Sequence, residues 1–150
     1  MEYIMKATLV VGIEHEHFFH LTDAKTVPAL YPESSSFQAM PAVFATGFMV
    51  GFLEWACIEA IKPHLDWPNE QSLGTAIHVT HEAATPAGFT VTARVKVTDI
   101  AGRRVRFEVQ AHDGVEVIAR GTHERFVIDK ARFDQKVAKK VTDAGLMLGA

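Results

Sequence analysis

Glu54 is out of keeping with its surroundings, a carboxylate set among Phe52, Leu53, Trp55, Ala56 and Cys57. Burying a carboxylate is costly unless it is paired or put to use. Unused, Glu54 faces a subunit boundary or pairs with an arginine such as Arg125; used, it supports proton-transfer chemistry in company with an imidazole. His81 supplies one, because it alternates with Ile77 and Val79 on one face of a strand pattern and shares their interior. Taken alone it reads as a core or strand-end histidine, and beside Glu54 as a proton carrier that titrates near neutrality.

Thr46 precedes Glu54 by eight residues. In one continuous helix the two stand about 80° apart in azimuth and about 12 Å apart along the axis, so they cannot touch the same small group. If both act in one site, either Thr46 precedes the regular helix or a second subunit supplies one of them. By itself Thr46 reads as a helix-start or packing threonine. Gly74 could present its backbone N–H to an oxyanion, although glycine at a strand entrance is commonplace. Gly47 and Gly51 imply close packing against their helix.

A metal centre is not expected. Each of the three His-Glu pairs lacks the histidine four residues on that a helical zinc site needs, with Phe19, Thr85 and Val127 standing there instead. His15 and His17 share a strand face but read as exposed. No glycine-rich phosphate loop and no Gly-x-Ser-x-Gly elbow occurs, which removes the usual support for nucleotide binding and for a serine hydrolase.

These residues need elements to hold them. From Pro41 to about Ile61 the chain is apolar on nearly every face, as in a helix wrapped by the rest of a domain, and Pro63 stands just beyond its end. Alternation then takes over: Thr75 to His81, Phe89 to Thr98, Arg104 to Ala111, and Val115 to Ile128 after an Asp113-Gly114 turn. Ile13, His15, His17 and Phe19 suggest one strand before the helix, Tyr31 to Ser36 a loop, and Lys130 to Lys140 a short amphipathic helix. The expected class is α+β, an antiparallel sheet wrapped around one long helix.

Composition agrees with one domain spanning residues 1–150: 48% of residues are apolar and 22% charged. A chain of this length can bury about 70% of its extended surface. A net charge of −3 without a basic stripe argues against nucleic acid. The apolar stretch Ala39 to Leu53 is too short to span a bilayer, and the N-terminus reads as carrying no export signal. A single cysteine, Cys57, fits a reducing, cytoplasmic compartment.

Several runs are familiar. Tyr31-Pro32-Glu33-Ser34, Val43 through Gly51, Glu54-Trp55-Ala56-Cys57, Ser72 through Ile77, Val79-Thr80-His81 and Gly121-Thr122-His123-Glu124-Arg125 resemble the fluoroacetyl-CoA thioesterase branch of the hot-dog-fold thioesterases, over about Lys25 to Val137. The resemblance implies a hot-dog homodimer or dimer of dimers that hydrolyses a short-chain acyl-CoA. It implies no cofactor, coenzyme A being part of the substrate. Thr46, Glu54 and His81 match the family's catalytic threonine, glutamate and histidine, Gly74 a backbone contact near the thioester, and Arg125 an arginine near the acyl-CoA site. Glu54 would then be nucleophile or general base, and the axial separation of Thr46 and Glu54 predicts a composite site at the dimer interface. Phe37 matches a lid phenylalanine, whereas Met40 stands where the family has a second, which implies a general short-chain rather than fluoroacetyl preference. A hot-dog hydratase or dehydratase, and a non-catalytic acyl-CoA-binding module, are the rival readings.

Overall fold

In a computed structural model that describes residues 5–146, the chain forms a five-stranded antiparallel sheet curled over one long helix. The strands are β1 (Glu14–His20), β2 (Glu70–His81), β3 (Thr90–Ala101), β4 (Arg104–His112) and β5 (Val117–Asp129). Their spatial order is β1-β3-β4-β5-β2, which leaves β1 and β2 as the two edges. Helices α1 (Val27–Leu30) and α2 (Ser35–Gln38) form a strap before the central α3 (Thr46–Ile61), and α4 (Lys130–Asp143) closes the chain. The architecture and the order of strand, helix and four strands are those expected from the sequence. The N-terminal segment read for an export signal begins outside the described residues.

Core side chains come from both layers. Met49, Leu53, Ala56, Cys57 and Ile61 of α3 lie against Val91, Val95 and Val97 of β3 and Val105, Phe107 and Val109 of β4, all buried. Truncating a residue such as Leu53 to alanine would cost about 2–5 kcal/mol, the usual range for an unrelaxed cavity. Burial of the Cys57 thiol pushes its pKa well up and leaves it a packing group.

Helix α3 begins five residues later than the sequence suggests. Residues 41–45 are non-helical instead, because Phe44 is buried and its backbone is tied on both sides: Val43 and Phe44 bridge to Pro86 and Thr26, and Phe44 N donates to Thr85 O at 2.7 Å. Residues 31–36, read as a loop, run into α2, whose N-cap Ser34 accepts from Phe37 N at 3.1 Å.

Strand β2 also departs from simple alternation. A bulge between Gly74 and Ala76 shifts the register against β5, so Gly74 pairs with Arg125 and Ile77 with His123. Thr75 therefore leaves the inner face on which the sequence places it, and its hydroxyl donates to Glu124 Oε2 at 2.7 Å. Ile77, Val79 and His81 keep the expected face. Gly121 secures the same pairing: a Cβ there would stand 1.9 Å from His78 O and 2.8 Å from Val79 Cα, which only glycine avoids.

Candidate active site

Two clusters of polar side chains lie along α3, one at its start and one two turns further on. At the start, Thr46 is the first helical residue and stands on the exposed side. Its Oγ1 shares a 2.7 Å hydrogen bond with His81 Nδ1 at the end of β2. The N-cap Ala45 offers no side-chain bond, so the Thr46 hydroxyl serves the imidazole. Burial pulls the His81 pKa below its ordinary value, against an opposing contribution from the Ala83 backbone. His81 Nε2 is buried and has no hydrogen-bond partner among the described residues.

Glu54 anchors the second cluster. Its Oε2 lies 3.3 Å from Arg125 Nη1, and the pair is asymmetric: the arginine side chain is 3% exposed and the glutamate 38%. Glu54 is thus not the enclosed carboxylate that its apolar neighbours suggest; it sits at the margin of the core and is reachable from outside. Arg125 is held on every nitrogen. Nε donates to Ser72 Oγ at 2.7 Å, Nη2 to Ser72 O at 2.7 Å, and Nη1 also to His123 Nε2 at 3.0 Å. Burial lowers the arginine pKa and the Glu54 carboxylate raises it back in part.

Gly74 completes this cluster from β2. A Cβ there would stand 3.2 Å from His123 Cε1 and 3.4 Å from both Arg125 Nη1 and Glu54 Oε2. The missing side chain leaves a small space between the β2 backbone and the carboxylate.

Of the residues singled out in the sequence, Thr46 joins His81, and Glu54 joins Gly74 and Arg125, but the two groups do not meet within one chain. With α3 unbroken from Thr46 to Ile61, about 12 Å of helix separates Thr46 from Glu54. Phe37 and Met40 lie in the strap: Phe37 stacks on Tyr31 with ring centroids 5.9 Å apart, and Met40 is exposed. The strap meets α3 through Leu30, whose Cδ1 would lie 3.3 Å from a Cβ on Gly47. Gly51 has no atom of the described residues within 4 Å of where its Cβ would stand and floors an apolar hollow of about 220 Å³ beside Phe48, Phe52 and Trp55.

Sequence reasoning missed Ser72 and His123. The signal was available: on the inner face of β5, Ala119, Gly121 and Val127 are interrupted by His123 and Arg125, two buried polar residues in succession. His15 and His17 also depart from expectation, being half-buried on the inner face of β1 with the His17 ring 4.2 Å from that of Trp55. No cluster of three or more metal-ligating side chains occurs among the described residues.

Residues 25–131 match a family model described as fluoroacetyl-CoA-specific thioesterase. The chain is 53% identical over 141 residues to the fluoroacetyl-CoA thioesterase of Streptantibioticus cattleyicolor, covering 94% of this chain and all of that one. A solved structure of a fluoroacetyl-CoA thioesterase superposes with a TM-score of 0.85 at 53% identity, over 88% of this chain and 97% of the other. A hot-dog-like protein from Thermanaerovibrio acidaminovorans superposes with a TM-score of 0.72 at 22% identity, over 87% and 91% of the two chains, a likeness of fold.

Proposed function

This chain belongs to the fluoroacetyl-CoA-specific thioesterase family, and on that premise we propose that it hydrolyses short-chain acyl-CoA esters at sites each built from two copies of the chain. It is a thioester hydrolase of the hot-dog fold. The observation that carries the reading of the site is the Glu54 carboxylate, fixed by Arg125 and facing the space beside Gly74.

In this reading the thioester carbonyl sits in that space. Glu54 acts on the carbonyl carbon, either as nucleophile, giving a mixed anhydride and the coenzyme A thiolate, or as general base for water. The Gly74 N–H receives the developing oxyanion, Arg125 holds Glu54, and His81 with Thr46 protonates the departing thiolate or activates the water. Hydrolysis of a thioester is redox-neutral and needs no cofactor; coenzyme A arrives with the substrate.

The second copy is argued from what one chain leaves open. Strand β2 is a 12-residue edge, and an unpaired edge of that length invites a partner strand. On α3 the face nearest to it, marked by the Thr46–His81 bond and the approach of Glu54 to Gly74, carries Thr46, Val50 and Glu54, none of them buried. If two β2 edges pair antiparallel about a two-fold axis between Ile77 and His78, Gly74 falls opposite His81 of the partner subunit. An axis near Val50 sets Thr46 beside Glu54 of the partner subunit. Both half-sites are then completed by one two-fold operation, in a homodimer or a dimer of dimers.

Met40, exposed at the end of the strap, offers no fixed aromatic edge over the acyl group, which favours a broad short-chain range over strict fluoroacetyl selectivity. The chain works as one domain and in the cytoplasm, where acyl-CoA esters are made; no described helix is long and apolar enough to cross a membrane.

The test is release of free coenzyme A thiol from acetyl-, fluoroacetyl-, propionyl-, butyryl- and aromatic acyl-CoA esters, with Glu54→Ala as control. Glu54-dependent release, fastest for the short acyl groups, is the expected result. Folded protein that binds these esters without releasing thiol would favour a binding module, and water addition to an enoyl-CoA without release a hydratase.

A further inference from the structure

Arg125 carries only donors, and at any pH a protein survives it stays a cation. Its Nη1 lies 3.0 Å from His123 Nε2, so that ring nitrogen is the acceptor and bears no proton. The other ring nitrogen, Nδ1, lies 2.8 Å from the Ala76 carbonyl oxygen, which only accepts, so Nδ1 holds the proton and donates. Two geometric constraints thus select one neutral tautomer. Both residues are buried, with Arg125 2% and His123 3% exposed.

We infer that His123 is a positioning residue for the hydrolysis, holding through Arg125 the carboxylate of Glu54 and through Ala76 the strand bulge that presents Gly74. The inference rests on the reading of Glu54 given above. The same Nη1 that donates to His123 donates to Glu54 Oε2 at 3.3 Å, so the ring fixes where the second N–H of that nitrogen points. Ser72 fixes the opposite side of the guanidinium through its hydroxyl and its carbonyl. The Ala76 carbonyl belongs to the residue at which the β2 register shifts, two positions from Gly74. One imidazole therefore ties the carboxylate to the backbone that flanks it.

Protonating His123 would undo this arrangement. An N–H on Nε2 would point at the N–H of Arg125, and two cations would share a buried space. The groups facing the ring are Arg125 from β5, Glu54 from α3, the Ala76 carbonyl from β2, and from β4 the uncharged Phe107 ring, its centroid 6.3 Å away, while Glu124 acts from the other face of the sheet. Burial, the largest influence, and the Arg125 charge lower the histidine pKa, while Ala76, Glu54 and Glu124 oppose them; the balance favours the neutral ring. Acidification should therefore release Glu54 from its fixed orientation as well as protonating His81.

The experiment compares His123→Leu and His123→Gln in the full-length enzyme, reading kcat, KM and the acid limb of the pH profile. Leucine fills the space without an acceptor; glutamine restores an uncharged acceptor for Arg125 that does not titrate. For His123→Leu we expect kcat down about 10- to 100-fold with KM changed less than about threefold, as for a misplaced reacting group. His123→Gln should recover most of kcat and titrate with one proton fewer on the acid limb. An unchanged kcat in folded His123→Leu overturns the inference; should that variant not fold, an unchanged acid limb in His123→Gln does so. Glu54→Gln in the same assay separates the two levels of argument. Wild-type turnover in Glu54→Gln removes the Glu54 reading and the His123 inference with it, whereas a dead Glu54→Gln beside an unaffected His123→Leu removes the inference alone.

Discussion

Thr85 Oγ1 donates a buried 2.9 Å hydrogen bond to Asp113 Oδ2, joining the loop after β2 to the turn between β4 and β5. Asp113 Oδ1 meanwhile accepts from the backbone N–H groups of Val115 and Glu116, so one carboxylate shapes the turn and anchors the loop. The Thr85 carbonyl in turn accepts from Phe44 N, two residues before Thr46. The Thr46–His81 pair is thereby braced from outside α3. Burial pushes the Asp113 carboxyl up, but the Glu116 and Val115 N–H groups and the Thr85 hydroxyl outweigh it and hold the pKa below the ordinary range. Thr85→Val, nearly the same shape, leaves a buried carboxylate short of a donor and should cost about 1–3 kcal/mol. Urea denaturation reads the loss, and an unmoved midpoint would show the bond to be dispensable.

Separation of Thr46 and Glu54 on one unbroken helix leads to a complementation test. If two chains share each site as proposed, the Glu54→Ala and His81→Ala proteins should each be inactive. Mixed and allowed to exchange subunits, they form heterodimers in which one site carries both lesions and the other neither, restoring about a quarter of the wild-type rate under random assortment. Activity that stays at the level of the parents after proven exchange would place each whole site within one chain.

Gly74 offers a change aimed at the site more than at the fold. Its added methyl in Gly74→Ala would meet Glu54 and Arg125 at ordinary contact distance and His123 Cε1 slightly closer, at 3.2 Å. The His123 ring, held on both nitrogens, must give by a few tenths of an ångström, so the variant should lose about 1 kcal/mol of stability, the typical cost of a single substitution. The methyl would nevertheless occupy the space assigned to the thioester carbonyl. Turnover should fall by at least about tenfold while the melting temperature drops by only about 2–4 °C, a loss of activity far larger than the loss of stability. Loss of both together would mark Gly74 as a packing position.

Periodicity made the wrapped helix and the strand meander readable, since both depend on which side chains face the core: alternation in Val91, Ala93, Val95 and Val97, and apolar residues all round α3. What periodicity could not reveal depends on long-range backbone bonds. The start of α3 is set by Thr26, Thr85 and Pro86, remote in sequence, and the bulge at Thr75 is set by pairing with β5. The Glu54–Arg125 pair was legible as one of two alternatives. The contribution of His123 was not, because a histidine on an inner strand face gains meaning only when the atoms on both sides of its ring are known.

His17 illustrates the same limit and supplies a pH prediction. Its ring lies edge-on to Trp55 at 4.2 Å and 5.9 Å from Phe52, with Nε2 buried and without a partner among the described residues. Burial, and after it the neighbouring His15, lower its pKa, and Glu59 on α3 raises it only in part. The folded chain thus binds a proton at His17 less readily than the unfolded chain, whose histidines titrate near their ordinary value of about 6.5. Its contribution to stability is complete above that value and is lost progressively as pH falls through the lowered folded pKa. His81 and His123 are shifted in the same direction and add to the slope. The urea midpoint should decline between about pH 7.5 and pH 5, and His17→Leu, which cannot be protonated against Trp55, should make that decline shallower. An identical slope in the variant would assign the acid sensitivity to the other two histidines.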